Sequence, residues 1–369
     1  MAKTVGIIGG GQLARMMIVP AIELGFEVKV LAEAADSPAK LAATVGDYND
    51  LETVRAFAKT VDVVTFDHEH VPLSILETLT AEGFDVQPRP QALQYAQNKL
   101  VMRKRLSELD VPCPDWAAVN SAEDIEAFLA SHSGEAILKT PTGGYDGKGV
   151  RVIRSAQDAA DWLAAGKPLL IEEKVSFVRE LAQLSARNPS GQWRPWSLVQ
   201  TVQRDGVCAE VLAPAANADY DLAAQIAEAI ATGLAVTGVL AVELFETSDG
   251  KLLVNELAMR PHNSGHFSIE GAVTSQFEQH LRAVLDLPLG STEATSAFAV
   301  MLNLLGPDSK NTFSERFEQA WELENTSHIH LYGKEYRAGR KMGHITALSS
   351  SSLEDARAQA QATYNALLA

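Results

Sequence analysis

The chain has 369 residues, of which 46% are hydrophobic and 21% charged, a globular composition with room for two or three domains. Its net charge of −16 argues against a nucleic-acid polymer as a partner, because phosphate backbones bind basic surfaces. Two cysteines, Cys113 and Cys208, offer no disulfide framework and favour a reducing, cytoplasmic location. We expect neither a signal peptide nor a membrane partner, since the uncharged stretches are shorter than the roughly 20 residues of a membrane-spanning helix.

The N-terminal residues predict a strand–helix–strand unit of a doubly wound sheet. We expect strands at Thr4–Ile8 and Glu27–Ala32 and a helix at Leu13–Leu24. The turn at Gly9–Ala14 nearly matches the dinucleotide fingerprint, and Glu33 stands where the ribose-binding acid would be. Two interpretations stay open: a phosphate held at the helix N-terminus, or a tight turn that any such sheet contains.

Polar residues follow the next predicted strand, Val61–Phe66. They occupy positions 67–70, at the edge where open α/β sheets bind ligands. Four consecutive side chains cannot all converge, so we predict no metal site there. Farther along, a single helix is expected over Gln91–Leu109, with Lys99 and Arg103 on a basic face.

A glycine-rich segment predicts an anion-covering loop. It follows the expected strand Ala136–Lys139, and residues 143–149 contain four glycines and Lys148. Glycine lets backbone N–H groups approach a phosphate closely, although the spacing is not that of a Walker A loop. A plain glycine hairpin is the alternative, and a lysine at the end of the strand weighs against it.

A β-hairpin is predicted where two apolar runs, Ala241–Phe245 and Leu252–Leu257, flank the pair Asp249–Gly250. An Asp-Gly pair readily supplies the two positive φ angles of a two-residue turn. With this pair at the centre of the turn, Phe245 would face Val254.

The same register places Glu243 opposite Glu256, with Cβ atoms roughly 5 Å apart. Facing carboxylates destabilise a sheet unless a cation compensates them, and Mg²⁺ prefers carboxylate and phosphate oxygens. A solvated edge hairpin is the alternative. The loop Met259–His266, which brings Arg260 and Asn263 together with two histidines, favours a site carried on a rigid element.

Basic residues gather near the C-terminal end of this acidic chain. From Ala297 onward we expect strands and turns, closed by an alanine-rich helix at Ser352–Leu368. A basic cluster of this kind suits a phosphomonoester, and a solvated hairpin is the alternative. Its members are Lys334, Arg337, Arg340, Lys341 and His344.

Four motifs follow one another over nearly the whole chain: GGGQLARMM (9–17), TGGYDGKG (142–149), NELAMRPHNSGH (255–266) and YGKEYRAGRKMGH (332–344). Together they resemble the ATP-grasp superfamily, and within it the family of 5-(carboxyamino)imidazole ribonucleotide synthases. The resemblance implies a mixed α/β and α+β fold in three parts. These are a doubly wound N-terminal domain (1–95), an ATP-grasp domain (96–295, lid subdomain about 112–172) and a small C-terminal β-rich domain (296–369).

The resemblance also implies a reaction, that of an ATP-grasp carbon–nitrogen ligase of purine biosynthesis. The amine of 5-aminoimidazole ribonucleotide is carboxylated with ATP and bicarbonate as co-substrates, through carboxyphosphate, and ADP and phosphate are released. Mg²⁺ is the implied metal, with Mn²⁺ as a substitute. A homodimer is implied as well, and a functional coupling to the downstream mutase is left open.

Individual residues receive roles from the same resemblance. The implied metal ligands are Glu243 and Glu256. The residues implied to bind ATP are Lys99, Arg103, Lys139, Glu172, Glu173, Lys174, Val175, Glu180, Asn255 and Glu256. Those implied to bind the ribonucleotide are Gln12, Glu69, Tyr145, Asp146, Lys148, Lys334, Arg340 and Lys341. Those implied to surround bicarbonate are Arg260, His262, Asn263 and His266, and the base is left open between Asp146 and His262.

Two departures from the family pattern limit these assignments. Many ATP-grasp enzymes carry a metal-binding Asn two residues after the second Glu, where this chain has Ala258. Asn255 or water would then complete the metal shell. Asp67 stands where family members often have Glu, which affects the contacts expected from that loop.

Three other functions would use some of the same sequence features. A formate-dependent glycinamide ribonucleotide transformylase shares the superfamily, but the GGYDGKG and GRKMGH segments disfavour it. An NAD-dependent dehydrogenase would use the first glycine-rich turn and leave the facing glutamates unexplained. A non-catalytic nucleotide sensor would not need the combination of Lys139, Glu243 and Glu256.

Overall fold

A computed structural model describes residues 3–144, 149–204, 206–307, 313–323 and 326–368. The N-terminal part is a parallel sheet in the order β3-β2-β1-β4 with helices packed against it, as the sequence predicts. Its strands are β1 (Thr4–Ile8), β2 (Glu27–Ala32), β3 (Ala43–Val45) and β4 (Val63–Phe66). Its helices are α1 (Gln12–Glu23), α2 (Leu51–Ala58), α3 (Leu73–Ala81) and α4 (Pro90–Gln97).

The single helix predicted over Gln91–Leu109 is wrong, because the chain breaks at Asn98. There the backbone is extended (φ −135°, ψ 108°), and a new helix, α5 (Lys99–Glu108), begins. The Asn98 side chain accepts hydrogen bonds from Leu100 N (3.0 Å) and Val101 N (3.3 Å). It thereby satisfies amide groups that the first helical turn leaves unpaired, so that a residue suited to capping separates two helices.

A second, antiparallel sheet follows in the order β5-β8-β6-β7. It carries the glycine-rich segment between two of its strands, β6 and β7. Its elements are β5 (Trp116–Val119), α6 (Ala122–Ser131), β6 (Ala136–Lys139), β7 (Val150–Ile153), α7 (Ala160–Ala164) and β8 (Leu169–Glu173).

The third and largest sheet runs in the order β14-β13-β9-β11-β12-β15-β17-β16, with β10 paired to β9. Its first part contains β9 (Phe177–Arg187), β10 (Trp193–Pro195), β11 (Val199–Arg204), β12 (Val207–Ala213), α8 (Tyr220–Gly233), β13 (Gly238–Thr247), β14 (Leu252–Ala258), α9 (Ser268–Gly271) and α10 (Gln276–Val284). Its C-terminal part contains β15 (Phe298–Leu305), α11 (Phe317–Trp321), β16 (Ser327–Leu331), β17 (Lys341–Ser349) and α12 (Leu353–Leu368). Because β12 pairs with β15, the C-terminal strands extend this sheet and do not form one of their own.

Helix α10 joins the first sheet to the third. Its residues Phe277 and Leu281 pack in one apolar cluster with Ile7 of β1. Its fully buried His280 accepts from Val239 N (3.1 Å) through Nδ1 and lies 2.7 Å from Thr65 Oγ1 through Nε2. Both ring nitrogens are thus used to hold the two sheets together. In the described part of the chain, no helix combines the length and apolar character needed to cross a bilayer.

We predict that Asn98→Ala lowers the free energy of unfolding by about 1 kcal/mol, because α5 loses its N-terminal cap. Asn98→Asp should cost less, since an aspartate accepts the same two amide hydrogens. Denaturant titration of the three proteins measures the difference. If both variants lost the same free energy of unfolding, the Asn98 side chain would not stabilise the protein by capping α5.

Candidate active site

The three sheets line one cleft with a volume of about 1290 Å³. Charged side chains from each sheet face it, together with the loop that follows β14. Of the residues predicted to bind substrates, Tyr145, Asp146 and Lys148 lie outside the described residues. Those that line the cleft are Gln12, Glu69, Lys99, Lys139, Glu172, Glu173, Lys174, Val175, Glu180, Glu243, Asn255, Glu256, Arg260, His262, Asn263, His266, Lys334, Arg340 and Lys341.

Glu243 and Glu256 are paired across β13 and β14, as the sequence predicts, but the strand register that leads to this pairing differs from the predicted one. The predicted two-residue turn is wrong. Thr247 N donates to Lys251 O (3.0 Å), so the loop has three residues, and only Gly250 has a positive φ (80°). Phe245 consequently faces Leu253 and not Val254.

A β-bulge lies between the turn and the two glutamates. It shifts the strand pairing by one residue, so that the two glutamates face each other despite the longer turn. Leu244 pairs with Val254 and Glu243 with Glu256, so that Asn255 is the extra residue of β14. Without the bulge, Asn255 and Glu256 would point to opposite faces of the sheet. With it, both side chains line the cleft.

Cations compensate the facing carboxylates only in part. Lys99 Nζ donates to Glu256, whereas His262, whose Nε2 lies 3.4 Å from Glu243 Oε1, has a pKa lowered to about 3 and adds no positive charge. Desolvation and the charges of Glu256 and Glu180 raise the pKa of Glu243 to about 7. The pair therefore retains a strong preference for added positive charge.

Arg103, predicted to contact phosphates, lies behind the wall of the cleft and not among its lining residues. Its fully buried guanidinium donates to the carboxylate of Glu172, to Val254 O (2.8 Å) and to Asn255 O (2.7 Å). These two carbonyls flank the bulge, so Arg103 supplies hydrogen bonds where the strand ladder is interrupted. The structure therefore corrects the prediction of a direct phosphate contact.

Glu172, which is implied to bind ATP, lines the cleft and also connects two basic side chains of the protein. Its side chain accepts from Arg103 and from Lys139 Nζ (2.6 Å), which in turn donates to Asn255 Oδ1 (3.1 Å). Although burial opposes it, Arg103 and Lys139 hold the pKa of Glu172 below its usual value. The network thus keeps Lys139 extended from β6 towards β14.

Two aromatic side chains that we did not predict contribute to the apolar end of the cleft. Phe177 and Phe245 stack with ring centroids 4.6 Å apart and lie beside Val175. Phe177 is 45% exposed at the start of β9, and apolar side chains exposed in a cleft suit the flat face of a base. They belong to β9 and β13, which are neighbours in the sheet but far apart in the chain, so the sequence gave no signal that the two rings meet.

The loop after β14 holds its polar side chains by contacts within the protein. Glu69 accepts from Arg260 Nε (2.7 Å) and Met259 N (3.2 Å), so it is engaged with the loop. Asn263 and Asn303 exchange amide hydrogen bonds of 3.0 and 2.7 Å. These pairs leave part of the Arg260 guanidinium facing the cleft.

The basic cluster near the C-terminus contributes to the same cleft as Gln12. Lys334, Arg337, Arg340 and Lys341 all line it. Burial, Arg340 and other nearby charges lower the pKa of Lys334 to about 8. Arg337 was noted in the sequence cluster but was not assigned to the substrate, and its place in the cleft adds it to the candidates.

The first glycine-rich turn contains an anion of the protein itself. Asp67 Oδ1 accepts from Leu13 N (3.1 Å) and Ala14 N (3.3 Å) at the N-terminus of α1. Glu33, at the position of a ribose-binding acid, lies 3.1 Å from His68 Nε2. A cofactor phosphate would meet the Asp67 carboxylate, so the turn does not support the dehydrogenase interpretation.

The fold and cleft are those of an ATP-grasp protein. Models of three domains match: the ribonucleotide synthetase preATP-grasp domain over residues 1–97, the ATP-grasp domain over 104–277 and the phosphoribosylaminoimidazole carboxylase C-terminal domain over 299–359.

The similarity extends over most of the chain to proteins with one shared name. An N5-carboxyaminoimidazole ribonucleotide synthase of Mycobacterium tuberculosis is 50% identical over 95% of this chain and 84% of its own. Two Aspergillus clavatus structures have TM-scores of 0.89 and cover 99% of this chain and 98% of theirs: carboxyaminoimidazole ribonucleotide synthase with ATP (34% identity) and N5-carboxyaminoimidazole synthase with ADP and 5-aminoimidazole ribonucleotide (33%). The chain belongs to the N5-carboxyaminoimidazole ribonucleotide synthase family.

We predict that Arg103→Met lowers the free energy of unfolding by about 3 kcal/mol, since it leaves buried acceptors without their donor. Arg105→Met, on the same helix, removes a half-exposed arginine bonded to Glu108 (3.0 Å) and Gly233 O (3.1 Å). It should cost less than about 1 kcal/mol. Denaturant titration compares the two variants, and similar small losses would contradict the role given to Arg103.

Proposed function

We propose that this protein carboxylates the amine of 5-aminoimidazole ribonucleotide with ATP and bicarbonate, and releases ADP and phosphate. The observation that carries the proposal is that one cleft contains both a facing carboxylate pair with nearby lysines and a basic cluster from the C-terminal segment. The first set suits a metal–triphosphate, and the second suits the phosphomonoester of a ribonucleotide. The relative from Aspergillus clavatus that binds ADP together with 5-aminoimidazole ribonucleotide supports both assignments.

Glu243 and Glu256 fit Mg²⁺ as ligands. Their facing position concentrates negative charge, which together with burial raises the pKa of Glu243, and a divalent ion would neutralise this charge. Among the described residues no group of three or more histidine, cysteine or acidic side chains could hold a metal. The two carboxylates of Glu243 and Glu256 suit Mg²⁺, which usually keeps water and phosphate oxygens among its ligands. When bound, Mg²⁺ supplies charge neutralisation at the transferring phosphoryl group.

Lys99 and Lys139, which contact the adjacent residues Glu256 and Asn255 of β14, would both hold the ATP phosphates. Lys139 is kept in place by Glu172 and Asn255, whereas Lys99 pairs with Glu256. Phosphoryl transfer depends on positioning and charge stabilisation more than on a covalent catalyst, which agrees with a site rich in lysine and arginine. Phe177 and Phe245 would contact the adenine.

Arg260 and the histidines of its loop would receive bicarbonate. Burial and the charges of Arg260 and Lys341 lower the pKa of His262 to about 3, so its ring is neutral at ordinary pH. A neutral ring leaves Arg260 and Lys341 as the positive charges beside the bicarbonate. Transfer of the γ-phosphoryl group to bicarbonate gives carboxyphosphate and ADP. The neutral amine of the ribonucleotide then attacks the carbonyl carbon, phosphate leaves, and the nitrogen loses a proton as the carbamate forms.

The family membership favours this reaction over the transformylase that shares the superfamily. The matched C-terminal model bears the name of the carboxylase, and residues 299–359 contain the basic cluster. We place domain divisions near residues 95 and 295, which the three matched ranges support. A homodimer, coupling to the mutase and a cytoplasmic location stay predictions.

The function is tested by ADP release with Mg²⁺, ATP and bicarbonate, in the presence and absence of 5-aminoimidazole ribonucleotide. We expect release that depends on this ribonucleotide and falls by at least about a hundredfold in Glu256→Gln, which loses a metal-binding charge. Asp249→Asn, at the exposed tip of the same hairpin, should retain activity. Release that instead requires glycinamide ribonucleotide and formate would overturn the proposal.

A second prediction concerns the phosphate of the ribonucleotide. With a pKa of about 8, Lys334 is mostly charged at pH 7 and mostly neutral at pH 9, so its attraction for a phosphate is lost as the pH rises. The apparent KM for the ribonucleotide should increase by roughly tenfold over this range, whereas the KM for ATP should change less. Lys334→Arg, which stays charged, should flatten the profile. An unchanged slope in this variant would assign the titration to another group.

A further inference from the structure

The loop at residues 262–266 rests on one fully buried side chain of α10, Gln276. Its Oε1 accepts from His262 N (2.8 Å), and its Nε2 donates to His262 O (2.8 Å) and to His266 Nδ1 (3.0 Å). Gly265 permits this close packing, because a Cβ there would lie 2.4 Å from Gln276 Oε1. The amide therefore contacts the loop at both of its ends.

These contacts determine the orientation of the Gln276 amide. A backbone N–H only donates and a carbonyl only accepts, so the oxygen must face His262 N and the nitrogen must face His262 O. The amide nitrogen has a second hydrogen, and His266 Nδ1 is its partner. His266 Nδ1 therefore accepts a hydrogen bond and has no proton of its own.

The remaining nitrogen of His266 must then have the proton. The ring is fully buried, and this burial, together with nearby positive groups, holds the pKa of His266 well below its usual value. A neutral imidazole with an unprotonated Nδ1 is protonated at Nε2. Within the described part of the chain, His266 Nε2 is buried without a hydrogen-bond partner, although the residue lines the cleft. The wall of the site thus contains a donor that no acceptor of the protein satisfies.

We propose that Gln276 is a positioning residue that holds His266 as a neutral hydrogen-bond donor, and that its Nε2–H, buried in the wall of the cleft in this structure, meets an oxyanion when the substrates bind. Bicarbonate is that oxyanion, and this part of the inference rests on the proposed function. His266 does not act as a base, because one nitrogen is occupied by an amide hydrogen and the other already has a proton. Gln276→Glu would move the ring proton of His266 from Nε2 to Nδ1, since a carboxylate only accepts hydrogen bonds and would need a donor at Nδ1.

Gln279 supplies a matched control one turn along α10. It is also fully buried, and it holds Gly290 through a bond to the backbone oxygen (2.9 Å) and one from the backbone nitrogen (2.8 Å). None of its hydrogen bonds among the described residues involves a histidine. Gln279→Glu therefore introduces the same charge at a similar backbone clamp and leaves the His266 ring alone.

The tautomer can be read from ¹H–¹⁵N correlation spectra of the full chain labelled at its histidines, with His266 assigned by its loss in His266→Gln. We expect protonation at Nε2 in the unsubstituted protein and in Gln279→Glu, and at Nδ1 in Gln276→Glu. A proton on Nδ1 in the unsubstituted protein would overturn the proposal, whether or not Gln276→Glu folds. An unchanged tautomer in a folded Gln276→Glu would overturn it too.

Steady-state kinetics test the assignment to bicarbonate separately. The apparent KM for bicarbonate should rise by roughly tenfold to a hundredfold in Gln276→Glu, as expected when a hydrogen bond to a charged ligand is lost. The KM for ATP should stay within about twofold, and Gln279→Glu should match the unsubstituted protein. A changed tautomer with an unchanged bicarbonate KM would overturn bicarbonate as the acceptor. Absence of ribonucleotide-dependent ADP release in the unsubstituted protein would count against the proposed function, while the spectra would still decide the role of Gln276.

Discussion

Repulsion between two carboxylates on neighbouring strands is the constraint around which the site is arranged. Glu243 and Glu256 face each other on β13 and β14, where like charges destabilise the pairing. Lys99 meets one of them, and a neutral His262 lies beside the other. The protein alone therefore leaves this position with excess negative charge. A metal–nucleotide would remove that excess on binding, so affinity for the ligand and relief of repulsion have the same origin.

Buried charges keep the surrounding groups in place. Arg103 connects α5 to the edge strand β14, and through Glu172 it also holds Lys139 of β6. The three elements belong to different parts of the chain, yet their polar atoms satisfy one another within a single network. A network of this kind is unfavourable when one member is missing, which makes the position of each member specific. It contributes more to the geometry of the cleft than to contact with a ligand.

In the N-terminal sheet, a side chain of the protein itself occupies the glycine-rich turn that binds phosphate in other proteins. Backbone amides at the start of α1 bind the Asp67 carboxylate, the same kind of group that such a turn offers to a phosphate. The strand and glycine pattern is retained, whereas the anion comes from the next strand of the sheet. The edge of this sheet, with Gln12 and Glu69, instead contributes to the wall of the common cleft.

Local patterns in the sequence determined much of the fold and the chemical character of the site. The bounds of β1, β2 and β6 were predicted correctly, because short apolar runs between glycine or polar residues specify strands. The motifs were sufficient to predict the family, and the apolar runs on either side of the hairpin turn led to the facing glutamates. The break at Asn98 was missed, because a capping side chain within a helical pattern gives a weak local signal.

Tertiary structure decided how these groups are connected. The extra residue in the hairpin turn and the bulge at Asn255 cancel each other, so the correct glutamate pairing was reached by an incorrect register. Arg103 looked like one more basic residue on a helix face, but burial against Glu172 and two carbonyls makes it a support for the site. Gln276 has no signature in the sequence, since its effect on His266 depends on three contacts across a fold. Residue type and spacing specify which chemistry is available, whereas burial and the partners of each polar atom decide which groups face the ligand and which hold the others in position.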